Sequence, residues 1–304
     1  MTSVPLPRPK KALESRILRA VGQANRTFDL LRDGDRILVA LSGGKDSYGM
    51  LWALRALQAS LPARIELFAF HLDQGQPGHD TAPIEDHVRS LGVPYEIEYQ
   101  DTYTRVVEKT EPGKIYCSLC SRFRRAILYK AAIRHGCNKV ALGHHKDDLV
   151  ETLLLNVLYA GQVKAMPARL QSEGGTHEVI RPLCYVDEAD LVALAEQEAF
   201  AIVPCRLCGS QQKERAAVKQ LIAELGERSP HIKGNLLRAL HNVVPTHLLD
   251  RALNPLYGAS ASAFEDAVSI AAPRGGPPQP LAEARPRGQS NAQASQSGGA
   301  STTA

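Results

Sequence analysis

No run of about 18 consecutive apolar residues occurs in the 304-residue chain, which excludes a transmembrane helix. Its first residues carry prolines and basic side chains but no apolar segment, so no secretory signal is expected. A cytoplasmic protein with no membrane partner follows as the expectation. The chain also lacks the G-x-x-x-x-G-K-[ST] string of ordinary nucleoside triphosphatases. No internal repeat is found beyond two C-x-x-C pairs. Charge of one sign is scarce, with 36 Lys and Arg against 32 Asp and Glu, a net +4. That excess permits nucleic-acid binding without requiring it. The remaining composition, 44% hydrophobic and 22% charged, is that of a globular chain with one large domain or one domain and an appendage.

What is present is concentrated in a few strings. The apolar run Ile37–Leu41 stops at Ser42-Gly43-Gly44-Lys45-Asp46-Ser47, and helical periodicity follows at Met50, Leu51, Leu54 and Leu57. A strand that ends in a double-glycine turn and enters a helix builds a phosphate cradle. Gly43 and Gly44 accept backbone angles closed to other residues, so successive N–H groups can face one concavity. The helix start adds unpaired N–H groups and partial positive charge. Lys45 supplies a mobile cation, and Ser42 and Ser47 supply hydroxyls. Asp46 is placed to cap the helix or to help hold Mg²⁺.

Along the chain, a helix is predicted over Ala12–Leu31. Strands are predicted at Arg36–Leu41, Ile65–Leu72, Tyr95–Tyr99, Lys139–Gly143 and Val179–Leu183. The intervening helices are Ser47–Ala59, Pro83–Leu91, Ser121–His135 and Asp147–Tyr159. Apolar strands alternating with amphipathic helices predict an α/β fold with a doubly wound parallel sheet. Ligands of such sheets bind beyond the carboxyl ends of the strands, where strand order reverses. The Ser42 loop, Asp73 and His144-His145 all fall at those ends. Further helices are predicted at Asp187–Phe200, Gln212–Leu225, Ile232–Val243 and Pro245–Asp250. The expected organisation is an N-terminal helical segment (1–35), an α/β domain (36–200) and a C-terminal helical region carrying the second C-x-x-C (201–271). A tail rich in Gly, Pro, Ser, Ala and Gln (272–304) has the composition of a disordered segment.

Two further groups carry chemistry. Gly143-His144-His145-Lys146-Asp147-Asp148 places two carboxylates and two histidines at a helix start, where they can serve Mg²⁺, phosphate or a bound base. An N-capped helix with surface histidines is the plainer reading of that string alone. Cys117-Ser118-Leu119-Cys120 and Cys205-Arg206-Leu207-Cys208 are two C-x-x-C pairs with 84 residues between them. Spacing alone favours a structural Cys₄ zinc site slightly over an iron–sulfur cluster. Cys137 and Cys184 stand alone and read as packing residues. Two basic clusters fit a solvated helix face as well as RNA: Arg122, Arg124, Arg125 and Lys130, and Lys10 to Arg26 at the N-terminus.

The Ser42–Ser47 string resembles the SGGxDS loop of PP-loop ATP pyrophosphatases. Taken with LDQGQPG (72–78), CSLCSRFRR (117–125), GHHKDDLVET (143–152), MPARL (166–170), VIRPL (179–183) and PCRLCGSQ (204–211), the chain resembles the tRNA-cytidine(32) 2-sulfurtransferase family. The likeness runs from about Arg36 to about Asp250. It implies the PP-loop fold and ATP-dependent conversion of an anticodon-loop cytidine to 2-thiocytidine, with Mg²⁺ and a [4Fe–4S] cluster. Carried over by position, the cluster ligands are Cys117, Cys120 and Cys208, with one iron left open. Cys205 is not an implied ligand, although spacing cannot separate it from Cys208. The resemblance thereby reverses the preference for zinc. The implied ATP site comprises Ser42, Gly43, Gly44, Lys45, Asp46, Ser47, His71, Asp73, Gly143 and His144. Lys45, Asp46, Asp147 and Asp148 are the expected catalytic residues, with Asp46 and Asp148 on Mg²⁺. Arg122, Arg124 and Arg125 flank the cluster loop and are expected on tRNA phosphates. A cysteine desulfurase-type sulfur donor and a homodimer are also implied. In the expected reaction the C2 oxygen is adenylated and AMP is displaced by sulfide from the open iron. The alternatives are thiolation of a different tRNA base, lysidine synthesis, and an ATP-binding RNA adaptor with structural zinc.

Overall fold

The computed structural model describes residues 12–110, 117–172, 174–203, 213–254 and 257, without the side chains of 117 and 118. Six strands form one sheet: β1 (Arg36–Leu41), β2 (Glu66–Asp73), β3 (Tyr95–Tyr99), β4 (Lys139–Ala141), β5 (Arg169–Gln171) and β6 (Glu178–Ile180). Their order is β3-β2-β1-β4-β6-β5. All pairings are parallel except β5 with β6, which is antiparallel. The doubly wound parallel sheet is thus found as expected, with an addition at one edge: the three-residue β5 returns as a hairpin and needs no crossover helix.

Burial on both faces follows from strand alternation. Ile37, Val39 and Leu41 of β1 join Leu67 and Ala69 of β2 in one core cluster. Leu38, Phe68, Phe70 and Val140 enter a second cluster on the other face. The first face is covered by α1 (Ala12–Phe28), α2 (Lys45–Ser60), α3 (Ala82–Ser90) and α7 (Glu188–Gln197). The second is covered by α5 (Cys117–Arg134) through Ile127, Ala131 and Ala132. Each fully buried aliphatic or aromatic side chain contributes on the order of 1.5–3 kcal/mol. Periodicity gives no sign of α4 (Thr102–Lys109); Asp101 caps it by accepting the Thr104 N–H at 2.9 Å. α5 begins at Cys117, four residues before the predicted start, so the first C-x-x-C lies on a helical turn.

Sheet order turns between β1 and β4. Chain direction there sends β2 and β3 to one side and β4 and β6 to the other. α6 (Lys146–Ala160) follows β4, and α8 (Lys213–Arg228) packs on it through Val150, Val218 and Ile222. α9 (Ile232–Ala239) follows α8. Compactness separates residues 1–243 from 244–304. The second unit's described part holds a 3₁₀ turn, Pro245–His247, and Asn254, whose side chain donates to the Thr246 and Leu248 carbonyls. Cys205, Cys208 and the 272–304 tail lie outside the described residues.

Candidate active site

Beyond the carboxyl ends of β1, β2 and β4 lies a cleft of 540 Å³. Its floor is the Ser42–Ser47 loop. Gly44 occupies the N-cap of α2, so Asp46 is the second helical residue rather than the cap. The loop ties itself together. Ser47 Oγ donates to the Gly44 carbonyl at 2.8 Å and accepts the Ser42 N–H at 3.1 Å. Gly43 has φ +81°, and a Cβ there would stand 3.0 Å from both Ile84 and Val203. Only glycine fits that conformation and that space. Gly143 brings the β4 end equally close, since its Cβ would meet the Asp46 backbone at 3.1 Å.

Of the expected site residues, Ser42, Asp46, Ser47, His71, Gly143, His144, Asp148, Cys120 and Arg124 line this cleft. His145 Nε2 lies between the two carboxylates, 3.7 Å from Asp46 and 3.4 Å from Asp148. Asp148 also accepts the His145 N–H at 3.1 Å, which fixes the start of α6. His71 is buried at the end of β2. Its Nδ1 is 2.9 Å from the Leu41 carbonyl, which can only accept, so Nδ1 carries the proton. Nε2 then accepts from His79 Nε2 at 3.1 Å. Burial lowers the His71 pKa, and the Leu41 bond only partly opposes it. His144 is driven down to about 4, first by burial and then by Arg181. It is neutral near pH 7, and its buried Nδ1 has no hydrogen-bond partner among the described residues. A buried ring nitrogen of that kind suits a ligand contact.

Other expected residues sit away from the cleft lining. Lys45 Nζ is 3.0 Å from Asp46 and 3.3 Å from Glu188 on α7. Burial would lower the Lys45 pKa, but those two carboxylates outweigh it and raise it. Asp147 accepts the Glu188 N–H at 2.8 Å and pairs with Lys233. Burial would raise its pKa; the Lys233 and Glu188 hydrogen bonds outweigh it and hold it below the usual carboxylate range. Asp73 closes the following turn, accepting the Gly75 N–H at 2.9 Å. Gly44 is part of the loop without lining the cleft. Arg122 and Arg125 are exposed on α5.

The structure adds residues that no motif marked. Arg215 of α8 reaches the cleft and stands 3.3 Å from Asp148 and 3.4 Å from Glu151. Gln74, Gln76, His79 and Ser121 complete the polar lining, while Phe70, Leu72, Leu128 and Leu142 give one apolar wall. Cys120 is buried in this same lining, with Sγ donating to Gln74 Oε1 at 3.2 Å. Gln74 and Gln76 stand within the 72–78 string, but Arg215 carries no local signal.

A glycine-turned strand–helix loop at the switch point of a parallel sheet defines a PP-loop nucleotide-binding protein, and a family model described as a PP-loop domain matches residues 10–225. Among curated relatives, the tRNA-cytidine(32) 2-sulfurtransferase of Anaeromyxobacter dehalogenans (strain 2CP-C) is 55% identical over 80% of this chain and 84% of its own. That of Delftia acidovorans is 47% identical over 87% of this chain and 85% of its own. The chain belongs to the tRNA-cytidine(32) 2-sulfurtransferase family within the PP-loop proteins. The U34-tRNA thiolase NcsA from Methanococcus maripaludis, solved with its [4Fe-4S] cluster, shares the fold. It superposes with TM-score 0.59 at 24% identity, over 77% of this chain and 80% of that one. Among the described residues no helix is long and apolar enough to cross a membrane.

Proposed function

We propose that this protein uses ATP to replace the C2 oxygen of cytidine 32 in the tRNA anticodon loop with sulfur. One observation carries the reading: Cys120 of the first C-x-x-C and the Ser42–Ser47 phosphate loop line a single cleft. A nucleotide-activating loop and a sulfur-handling thiol have reason to share a wall when the activated atom is the one that sulfur replaces.

The residues fit the groups the reaction needs. The loop hydroxyls of Ser42 and Ser47 and the α2 N-terminus suit a triphosphate. Asp46 and Asp148 present two carboxylates to the cleft, a donor set suited to Mg²⁺. Cys117 lies about one helical turn before Cys120, so the pair belongs to the start of α5. With Cys208 as third ligand they would hold a [4Fe–4S] cluster. When bound, Mg²⁺ would offset phosphate charge, and the cluster would supply sulfur at the sulfide level, the persulfide sulfur of a desulfurase-type donor being first reduced by two electrons from an external thiol or electron-transfer protein.

The chain's own groups then have distinct tasks. The C2 oxygen attacks the α-phosphate, the α–β phosphoanhydride breaks, and pyrophosphate departs with the bridging electron pair. Lys45, released from Glu188, and the loop N–H groups stabilise the charge that develops. His144, neutral at its depressed pKa, offers ring nitrogens for hydrogen bonds without adding charge. Leu72, Leu128 and Phe70 give a flat apolar wall for a base, which an unpaired loop yields at lower cost than a duplex. Sulfur bonds to C2, the C2–O bond breaks, and AMP leaves with the oxygen. Arg124, in the cleft lining, and Arg122 and Arg125, exposed on the same helix, would meet tRNA phosphates. A homodimer and a cytoplasmic location complete the reading.

Nucleoside mass spectrometry of tRNA from a deletion strain tests it. Loss of 2-thiocytidine, restored by the intact gene but not by Cys120→Ala, is expected. Persistence of 2-thiocytidine in the deletion strain overturns the reading. One zinc and no iron in anaerobically purified protein would instead favour the adaptor with structural zinc.

A further inference from the structure

The start of α6 is a junction of three hollows. Lys146 lines a groove of 630 Å³, Asp147 lines an adjoining hollow of 350 Å³, and Asp148 lines the nucleotide cleft. Lys146 and Asp148 are two residues apart, about 3 Å along the helix axis. The groove and the cleft thus lie on different sides of the same helix start. Its far wall is His231 and the exposed side of α9, with Lys233, Asn235 and Arg238.

We propose that this groove binds the phosphodiester backbone of the RNA whose base enters the cleft, a surface that rests on the tRNA reading above. Charge is the first argument. The groove lining carries Lys146, Lys233 and Arg238 against one carboxylate, Asp187. Lys146 is steadied by Asp187 at 2.9 Å, and Lys233 by Asp147. Each ammonium keeps further N–H donors for an anion while its stem is held in place. Arg238 has no ion-pair partner among the described residues, and its guanidinium is matched to phosphate oxygens. The second argument is the orientation of α9. It packs on the core through Leu236 and Leu237, which leaves Asn235 and Arg238 exposed.

Nearness to the cleft, across the α6 start, favours RNA over an acidic protein. A nucleotide inserted into the cleft leaves its neighbours' phosphates outside, where the groove offers Lys146, Lys233 and Arg238. A polyanion tracking outward over Lys146, Lys233 and Arg238 meets them in succession. Such interactions position the strand without reading its sequence.

Fluorescence anisotropy of a labelled, unmodified tRNA transcript, titrated with the full chain at several KCl concentrations, tests the groove. Every phosphate that the protein ceases to neutralise lowers the log affinity–log salt slope by about 1. Arg238→Ala is expected to cut the slope by about 1, and Lys233→Gln with Arg238→Ala by about 2. Arg238→Ala breaks no ion pair among the described residues, so its result stands even if Lys233→Gln loosens α9. Arg238→Lys should keep the slope, because it keeps the charge. An unchanged slope in both alanine-bearing variants, or an equal loss in Arg238→Lys, overturns the groove and leaves the tRNA reading standing. Failure of the wild-type chain to bind tRNA at all overturns both.

Discussion

The two ends of the central sheet are built from similar ionisable residues and put them to opposite use. At the amino end, Lys139 is 1% exposed. Its ammonium lies 2.7 Å from Asp35 and 2.6 Å from the Leu30 carbonyl, with Glu178 at 3.5 Å. Asp35 also accepts the Arg32 N–H and the Asn138 amide, so that cluster is paired inside the protein. At the carboxyl end, Asp46, Asp148, His71 and His144 border an open cleft. Bonding capacity there is retained, as the unpartnered His144 Nδ1 shows among the described residues. A buried charge left without partners costs several kcal/mol, so one end is satisfied internally and holds the fold together. The other is left incompletely paired, as the proposed ligand site requires.

Substitutions at the two ends should therefore separate activity from stability. Cys120→Ala should reduce tRNA thiolation below detection while ATP binding and the unfolding midpoint stay near wild type. Thiolation at the normal rate would remove Cys120 from the chemistry. At the opposite end, Lys139→Met strands Asp35 without its cation. Urea unfolding should show a loss of about 3–5 kcal/mol, with ATP affinity of the folded fraction unchanged. A loss of ATP affinity with intact stability would mean that the two ends are not independent.

Acid should sharpen the same contrast on a smaller scale. A histidine whose folded pKa is about 4 binds its proton more readily when unfolded, near 6.5. Its contribution to stability is complete above about 6.5 and declines as pH falls toward about 4. His144→Asn should flatten that part of the pH–stability curve, and a curve identical to wild type would exclude the cause. The smallest effect concerns cysteine. Burial drives the Cys184 thiol up to about 12, so it should resist iodoacetamide in folded protein at mildly alkaline pH. Labelling at Cys184 before unfolding would contradict that burial.

Much of the scaffold is legible in the chain because its signals are local. The bounds of β1 and β3 match the predicted ones, and β2, β4 and β6 shift or shorten by a few residues. β5 leaves no such trace: three half-exposed residues on an antiparallel edge carry no apolar run. α4 is hidden for a similar reason, since eight residues span barely two helical turns. At the site, the glycine turn and the GHHKDD string announce which segments meet. They do not announce which side chains face the cleft. Lys45 and Asp147 group by sequence with Asp46 and Asp148, yet they turn toward Glu188 and Lys233.

The sequence by itself determined the phosphate loop, the alternation that places it at a strand end, and the family to which the chain belongs. Each of these is written in residues a few positions apart. Only the tertiary structure decided that Asp148 looks into the cleft while Asp147 looks away, and that Arg215 arrives from 67 residues downstream. Successive residues on a helix point about 100° apart, so adjacency in the chain does not assign a shared direction. A partner dozens of residues away becomes visible only once the helices have packed.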